Sequence, residues 1–94
     1  MGIRFAWDER KALGNFFKHG VRFEEAATVY GDPLSITIPD PAHIHLREER
    51  LVTMGLSERV RLLVVIHCDR GEEIRIISAR LATTRERKDY EEGK

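Results

Sequence analysis

The sequence predicts a small α+β domain in which helices pack on an antiparallel sheet. Three observations carry this. Two segments near the start repeat apolar residues at helical spacing. Between Glu49 and Arg80, three strand-like runs are separated only by short turns. After them, Thr83 and Glu86 stand at the spacing of a capping box that opens a final helix. With 94 residues, the chain is expected to form one domain over 1–94 with one modest core.

The elements follow in order. "IRFAW", Ile3 to Trp7, alternates and reads as a short strand. Asp8 is placed as an N-cap, with Glu9 in the first turn. "ERKALGNFFKH" makes a helix with Ala12, Leu13, Phe16 and Phe17 as its apolar side, and Gly20 stops it. "FEEAATVY" reads as a second short helix, ended by Gly31, Asp32 and Pro33. "LSITI" (Leu34 to Ile38) is the next strand, followed by a polar loop. "ERLVTMGL", "RLLVVIH" and "EEIRIISAR" then form a meander. The almost wholly apolar run from Arg61 is its central strand, covered on both faces. The helix after Thr83 runs to about Glu91.

Bulk properties remove several classes of function. No apolar run approaches the roughly eighteen residues of a membrane helix. The N-terminus lacks a signal-peptide core, so a cytoplasmic location is expected. Cys68 is alone, so no disulfide framework exists. Sixteen basic and sixteen acidic residues cancel, which argues against a non-specific nucleic-acid binder. The kind of cation is informative: from Arg47 to Arg87 every cation is arginine. A guanidinium is a planar, permanently charged fork matched to carboxylate and phosphate. The bland alternative is pairing with nearby acids such as Glu72 and Glu73.

Arginine inside the last strand needs a partner. Simple alternation puts Ile74, Ile76, Ser78 and Arg80 on one face, and Arg75, Ile77 and Ala79 on the other. Arg75 is expected on the face away from the helices. Arg80, at the strand end, is expected to reach the last helix, and both arginines share a face only if the strand bulges. His67 titrates near neutrality in its ordinary state and suits acid–base work, or a local backbone bond. Glu86 can align a guanidinium or cap its helix. Lys11 and Lys18, two turns apart, share one side of the first helix. His43 and His45 invite a metal reading, but no third or fourth ligand stands at familiar spacing, so no metal or other cofactor is expected.

The stretches "FAWDERKALGNFFKHGVRFEEAATVYGDP" and "IRIISARLATTRERKDYEE" resemble the BrnT-type toxins of type II toxin–antitoxin systems. The similarity runs from about Phe5 to Glu92 and includes Asn15, Lys18, His19 and Gly20, then Arg75, Ser78, Arg80, Glu86, Arg87 and Tyr90. One departure is Val60, where similar sequences often place Gly in a hairpin turn. The resemblance implies a RelE-like fold, with two N-terminal helices and one C-terminal helix on the sheet. It also implies endoribonuclease activity that arrests growth. The implied partners are RNA and a BrnA-type ribbon-helix-helix antitoxin, with oligomers and DNA contact arising only through that antitoxin. On this basis the expected catalytic set is His67, Arg75, Arg80, Lys11 and Glu86, with Lys18, Arg85, Arg87 and Tyr90 binding RNA. The alternative is a non-catalytic module whose arginines meet an acidic partner.

Overall fold

The computed structural model describes residues 2–41 and 49–93. Strand β1 (Arg4–Ala6) leads to α1 (Glu9–His19) and α2 (Phe23–Ala27), which continues as a 3₁₀ turn over Thr28–Gly31. Strands β2 (Ile36–Pro39), β3 (Leu51–Leu56), β4 (Leu62–Arg70) and β5 (Glu73–Leu81) follow, then α3 (Thr84–Glu91). The sheet order is β1-β5-β4-β3-β2. β2 to β5 are antiparallel neighbours, as the short turns predict. β1 instead pairs parallel to β5, with Phe5 opposite Ile74.

Helix α1 begins because the Asp8 carboxylate accepts from the backbone N–H groups of Arg10 and Lys11 at 2.8 and 3.2 Å. It ends at Gly20, whose φ of 71° lies in the left-handed region that glycine enters without steric cost. The expected second helix is shorter than its apolar spacing suggests, because the chain tightens into the 3₁₀ turn at Thr28. One face of the sheet carries the core: Leu63, Val65, Ile76 and Ala79 pack against Val21, Phe23, Ala26 and Val29. Within α1, Ala12 and Phe16 turn inward, whereas Leu13 and Phe17 are exposed, contrary to the predicted apolar side. The reason is the roll of α1 imposed by Asn15, which is buried and faces β5.

Asn15 closes the gap left where β1 stops. β1 covers β5 only as far as Arg75. Beyond it, the Asn15 side-chain oxygen accepts from Ala79 N–H (3.0 Å), and its amide donates to Ala79 C=O (2.8 Å) and Val21 C=O (2.9 Å). One side chain thereby replaces a strand neighbour and fixes the helix on the sheet.

Strand β5 departs from simple alternation. Ile66 pairs with Ser78, but His67 pairs with Ile76, so Ile77 is an extra residue. The bulge turns Ile76 and Ala79 both to the helices. It brings Arg75, Ser78 and Arg80, opposite Cys68, Ile66 and Val64, to the second face.

The β3–β4 hairpin turns at Ser57–Arg61, with Val60 N–H bonded to Ser57 C=O (2.9 Å) and Ser57 N–H to Arg61 C=O (2.9 Å). Val60 has φ 59°, an uncommon position for a β-branched residue. The hairpin is pinned to α2 by the buried Glu25, which accepts from Arg61 and from the Ser57 hydroxyl at 2.7 Å. Val60→Gly is expected to raise stability by about 1 kcal/mol. Thermal unfolding should show this as a Tm several degrees higher. Asn15→Leu, which strands two backbone groups of Ala79, is expected to cost about 2–4 kcal/mol by the same measurement.

Candidate functional site

The second face of the sheet brings together Arg75, Arg80 and, through α3, Glu86. Arg75 is exposed there, and Arg80 is half-buried at the strand end. Helix α3 lies over part of this face, leaving a groove of about 250 Å³ lined by Ile36, Ile38, Val52, Met54 and Val64, with Glu86 and Asp89 on its rim.

The start of α3 is built around Glu86. Thr83 accepts from Glu86 N–H (3.1 Å) while Glu86 accepts from Thr83 N–H (2.8 Å), the reciprocal capping box expected from the sequence. The same carboxylate receives both terminal nitrogens of Arg80, Nη1 at 2.8 Å and Nη2 at 2.9 Å. Glu86 therefore caps and aligns at once. Arg80 Nη1 also donates to Leu81 C=O at 3.2 Å. The fork thus spends both Nη1 hydrogens and one Nη2 hydrogen. Its other edge, Nε–H with the second Nη2–H, remains a two-point donor for a phosphate or carboxylate. The Arg80 fork holds the Glu86 carboxyl down at about 2, with the Thr83 donors helping and burial opposing. Glu86 is consequently an anion across the working pH range and a weak base.

Two lysines approach from the other side of β5. Lys11, Asn15 and Lys18 form one stripe of α1, at i, i+4 and i+7. Asn15 is the member bonded to Ala79, so the two exposed lysines share the side of α1 that is turned to the β5 edge. Arg85 and Arg87 are exposed on α3. Tyr90 is engaged elsewhere: its hydroxyl donates to Asp32 at 2.6 Å, and this bond pushes the phenol up to about 12. Asp32 also accepts from Leu56 N–H and Leu34 N–H. Burial opposes its ionisation, but these three donors outweigh burial and lower its pKa.

His67 is not brought to this group. It lies on the helix-covered face, 1% exposed, because alternation along β4 sets it opposite to Val64 and Ile66. Its Nε2 is 2.7 Å from the Thr53 hydroxyl, and its Nδ1 is 2.6 Å from Asp69. Thr53 in turn bonds Thr37 at 2.7 Å. In the neutral ring the hydrogen bonds run one way, from Thr37 through Thr53 and His67 to Asp69. Tyr30 packs edge-on against the ring, 5.2 Å between centroids, and burial raises the pKa of its phenol. Sequence reasoning missed Asn15, Asp32 and Thr53 as organisers. The signal for Asn15 was available, since asparagine in mid-helix is unfavourable without a partner.

Among the described residues, no group of three His, Cys, Asp or Glu side chains could hold a metal. His43 and His45 lie outside the described residues. No helix among the described residues is long and apolar enough to cross a membrane.

Comparison with known proteins adds a family. Residues 7–86 match the model for the ribonuclease toxin BrnT of type II toxin–antitoxin systems. No curated protein sequence matches the chain. The crystal structure of the Brucella abortus ribonuclease toxin BrnT is similar, with a TM-score of 0.67 and 25% identity, over 87% of this chain and 99% of that one.

The carboxylates predict an acid response. Glu86 and Glu25, paired with Arg80 and Arg61, and Asp32, held by its three donors, all have folded pKa values below their ordinary ones. Their stabilisation is therefore complete above the ordinary carboxylate range. It is lost as pH falls from about 4.5 towards about 2, the window set by Glu86. Tm should be flat above that range and fall within it. Glu86→Gln should lower the plateau and shrink the fall, as measured by thermal unfolding across pH.

Proposed function

We propose that this chain, which belongs to the BrnT family of ribonuclease toxins of type II toxin–antitoxin systems, is a metal-independent endoribonuclease. Its RNA cleavage inhibits translation and growth until a BrnA-type ribbon-helix-helix antitoxin silences it. The reading rests on one observation above the rest: the β5 bulge sets Arg75 and Arg80 on one face, with an unoccupied edge on a guanidinium that Glu86 already holds in place.

In the reaction we envisage, the ribose 2′ oxygen attacks the adjacent phosphorus. The P–O5′ bond breaks, the 2′ proton passes to water, and the 5′ oxygen takes a proton from water. Negative charge builds on the non-bridging oxygens as the phosphorus becomes five-coordinate. Arg80, through its free edge, and Arg75 stabilise that charge without reorganising, because Arg80 is already oriented. Glu86 is the aligning anion and is too weak a base to take the 2′ proton. Lys11 and Lys18 hold phosphates along the β5 edge, and Arg85 and Arg87 extend the grip onto α3. Few phosphates need be held, in keeping with zero net charge. Tyr90 acts by anchoring α3 to Asp32. His67, with both ring nitrogens engaged on the opposite face, serves the core, and no proton is routed through it.

A second reading, a binding module without cleavage, draws on the same fork. Arg80 already accepts a carboxylate, the group an acidic partner would bring. The two readings part in a cleavage assay with purified, antitoxin-free protein in excess chelator. Cleavage of RNA by the wild type is the expected outcome, and silence over several RNAs supports the module. Arg75→Ala and Arg80→Ala should each lower the cleavage rate about 10²–10³-fold, the usual effect of removing one preorganised donor. Undiminished cleavage by Arg80→Ala removes that residue from the mechanism.

A further inference from the structure

The groove beside α3 combines an apolar floor with an acceptor that the chain itself does not use. Ile36, Ile38, Val52, Met54 and Val64, from three neighbouring strands, enclose about 250 Å³. Ile38, on the edge strand β2, is 50% exposed, so the groove is open to solvent there. Two carboxylates stand on the rim, and they differ. Glu86 spends its oxygens on Arg80 and Thr83. Asp89 is half-buried and has no hydrogen-bond or ion-pair partner among the described residues. Binding sites for small groups share this make-up, an apolar lining with a few polar groups that fix orientation. The groove also adjoins the arginine site. Val64 of its floor stands opposite Arg80 on the adjacent strand, and Glu86 of its rim holds the Arg80 fork. Asp89 lies one helical turn beyond Glu86, ~5 Å along the axis, within the span of a single nucleotide.

We infer that this groove is the subsite for a guanine base of the RNA, beside the phosphate held by Arg80, and that Asp89 reads the base. The inference rests on the ribonuclease reading above and gives its substrate a sequence preference. The floor takes the flat face of the base, and the polarisable Met54 thioether suits an aromatic ring. The volume fits one ring system and falls below that of drug-sized sites. The identity of the base follows from the carboxylate, which only accepts. Guanine presents two adjacent N–H groups, on N1 and N2, one for each oxygen. Adenine and cytosine set a ring-nitrogen lone pair beside their amino group, against the second oxygen. Uracil flanks its one N–H with carbonyls. A wrong base therefore leaves a desolvated carboxylate oxygen unmatched, which discriminates more strongly than shape alone. An apolar side chain of a protein partner would fill the floor but bury Asp89 unpaired. A phosphate would meet like charge at Asp89, so the base enters the groove and the backbone stays at Arg80.

The test uses uridine pentanucleotides with a central guanosine, inosine or adenosine, 2′-O-methylated throughout so that they bind without being cut. In fluorescence anisotropy the wild type should prefer guanosine over adenosine roughly tenfold or more. Inosine, which lacks the N2 amino group, should fall between them. Asp89→Asn breaks no bond among the described residues and should bring the guanosine-to-adenosine ratio near one. The ratio is the readout, because removing a negative charge strengthens binding to every oligonucleotide alike. Val52→Phe, which fills the floor, should erase the same ratio. A wild type without the preference, or an Asp89→Asn variant that keeps it, overturns the inference. So does a Val52→Phe variant that keeps the preference and loses antitoxin affinity, because the groove then belongs to the antitoxin. Guanosine preference in a wild type that cleaves no RNA upholds the subsite and sinks the ribonuclease reading alone.

Discussion

The carboxamide of Asn15 holds together parts of the chain that nothing else connects so directly. Its three hydrogen bonds join α1, the Val21 turn and β5, across a separation of 64 residues to Ala79. Both polar atoms of the amide are used and both are buried, so each bond is worth more here than at a surface. The roll of α1 follows from it. With Asn15 turned to the sheet, Ala12 and Phe16 fall inward, Lys11 and Lys18 come to the β5 edge, and Leu13 and Phe17 are left to solvent.

The bulge at Ile77 is the second constraint, and it lies two residues before the one Asn15 grips. A bulge in a sheet interior leaves a residue unpaired and sharpens the local twist. Here its effect is chemical. Without it, one arginine of β5 would face the hydrophobic core, where a guanidinium is untenable. With it, Ile76 and Ala79 both serve the core and both arginines reach the other face. The fork to Glu86 then fixes one of them, using a carboxylate that also starts a helix.

Much of this was legible in the sequence, and the remainder was hidden for identifiable reasons. The bounds of α1, the capping box at Thr83 and the three-strand meander follow from local chemistry: a capping carboxylate, a left-handed glycine, short turns. The aligning role of Glu86 was one of two readings of a single residue, and the geometry realises both. The bulge was legible only as a condition, since two arginines of one strand share a face only if alternation breaks; its place at Ile77 follows from the register with β4. His67 sits in a run that reads as apolar, and its burial follows from register with Thr53 and Asp69, not from its own identity. Leu13 and Phe17 look like core by spacing alone. Only the orientation set by a distant asparagine reveals that they are not.

The parallel pairing of β1 with β5 has a consequence for how the molecule comes into being. The first strand has no partner until Glu73 to Arg75 exist, and Asn15 has no purpose until Ala79 does. Such long-range closures give a high contact order and slow, all-or-none folding. On a translating ribosome the early helices emerge with their apolar faces uncovered and must wait for β5. The cationic face is not assembled piecemeal: Arg75, Arg80 and the lysines of α1 come into register in the same event that completes the sheet.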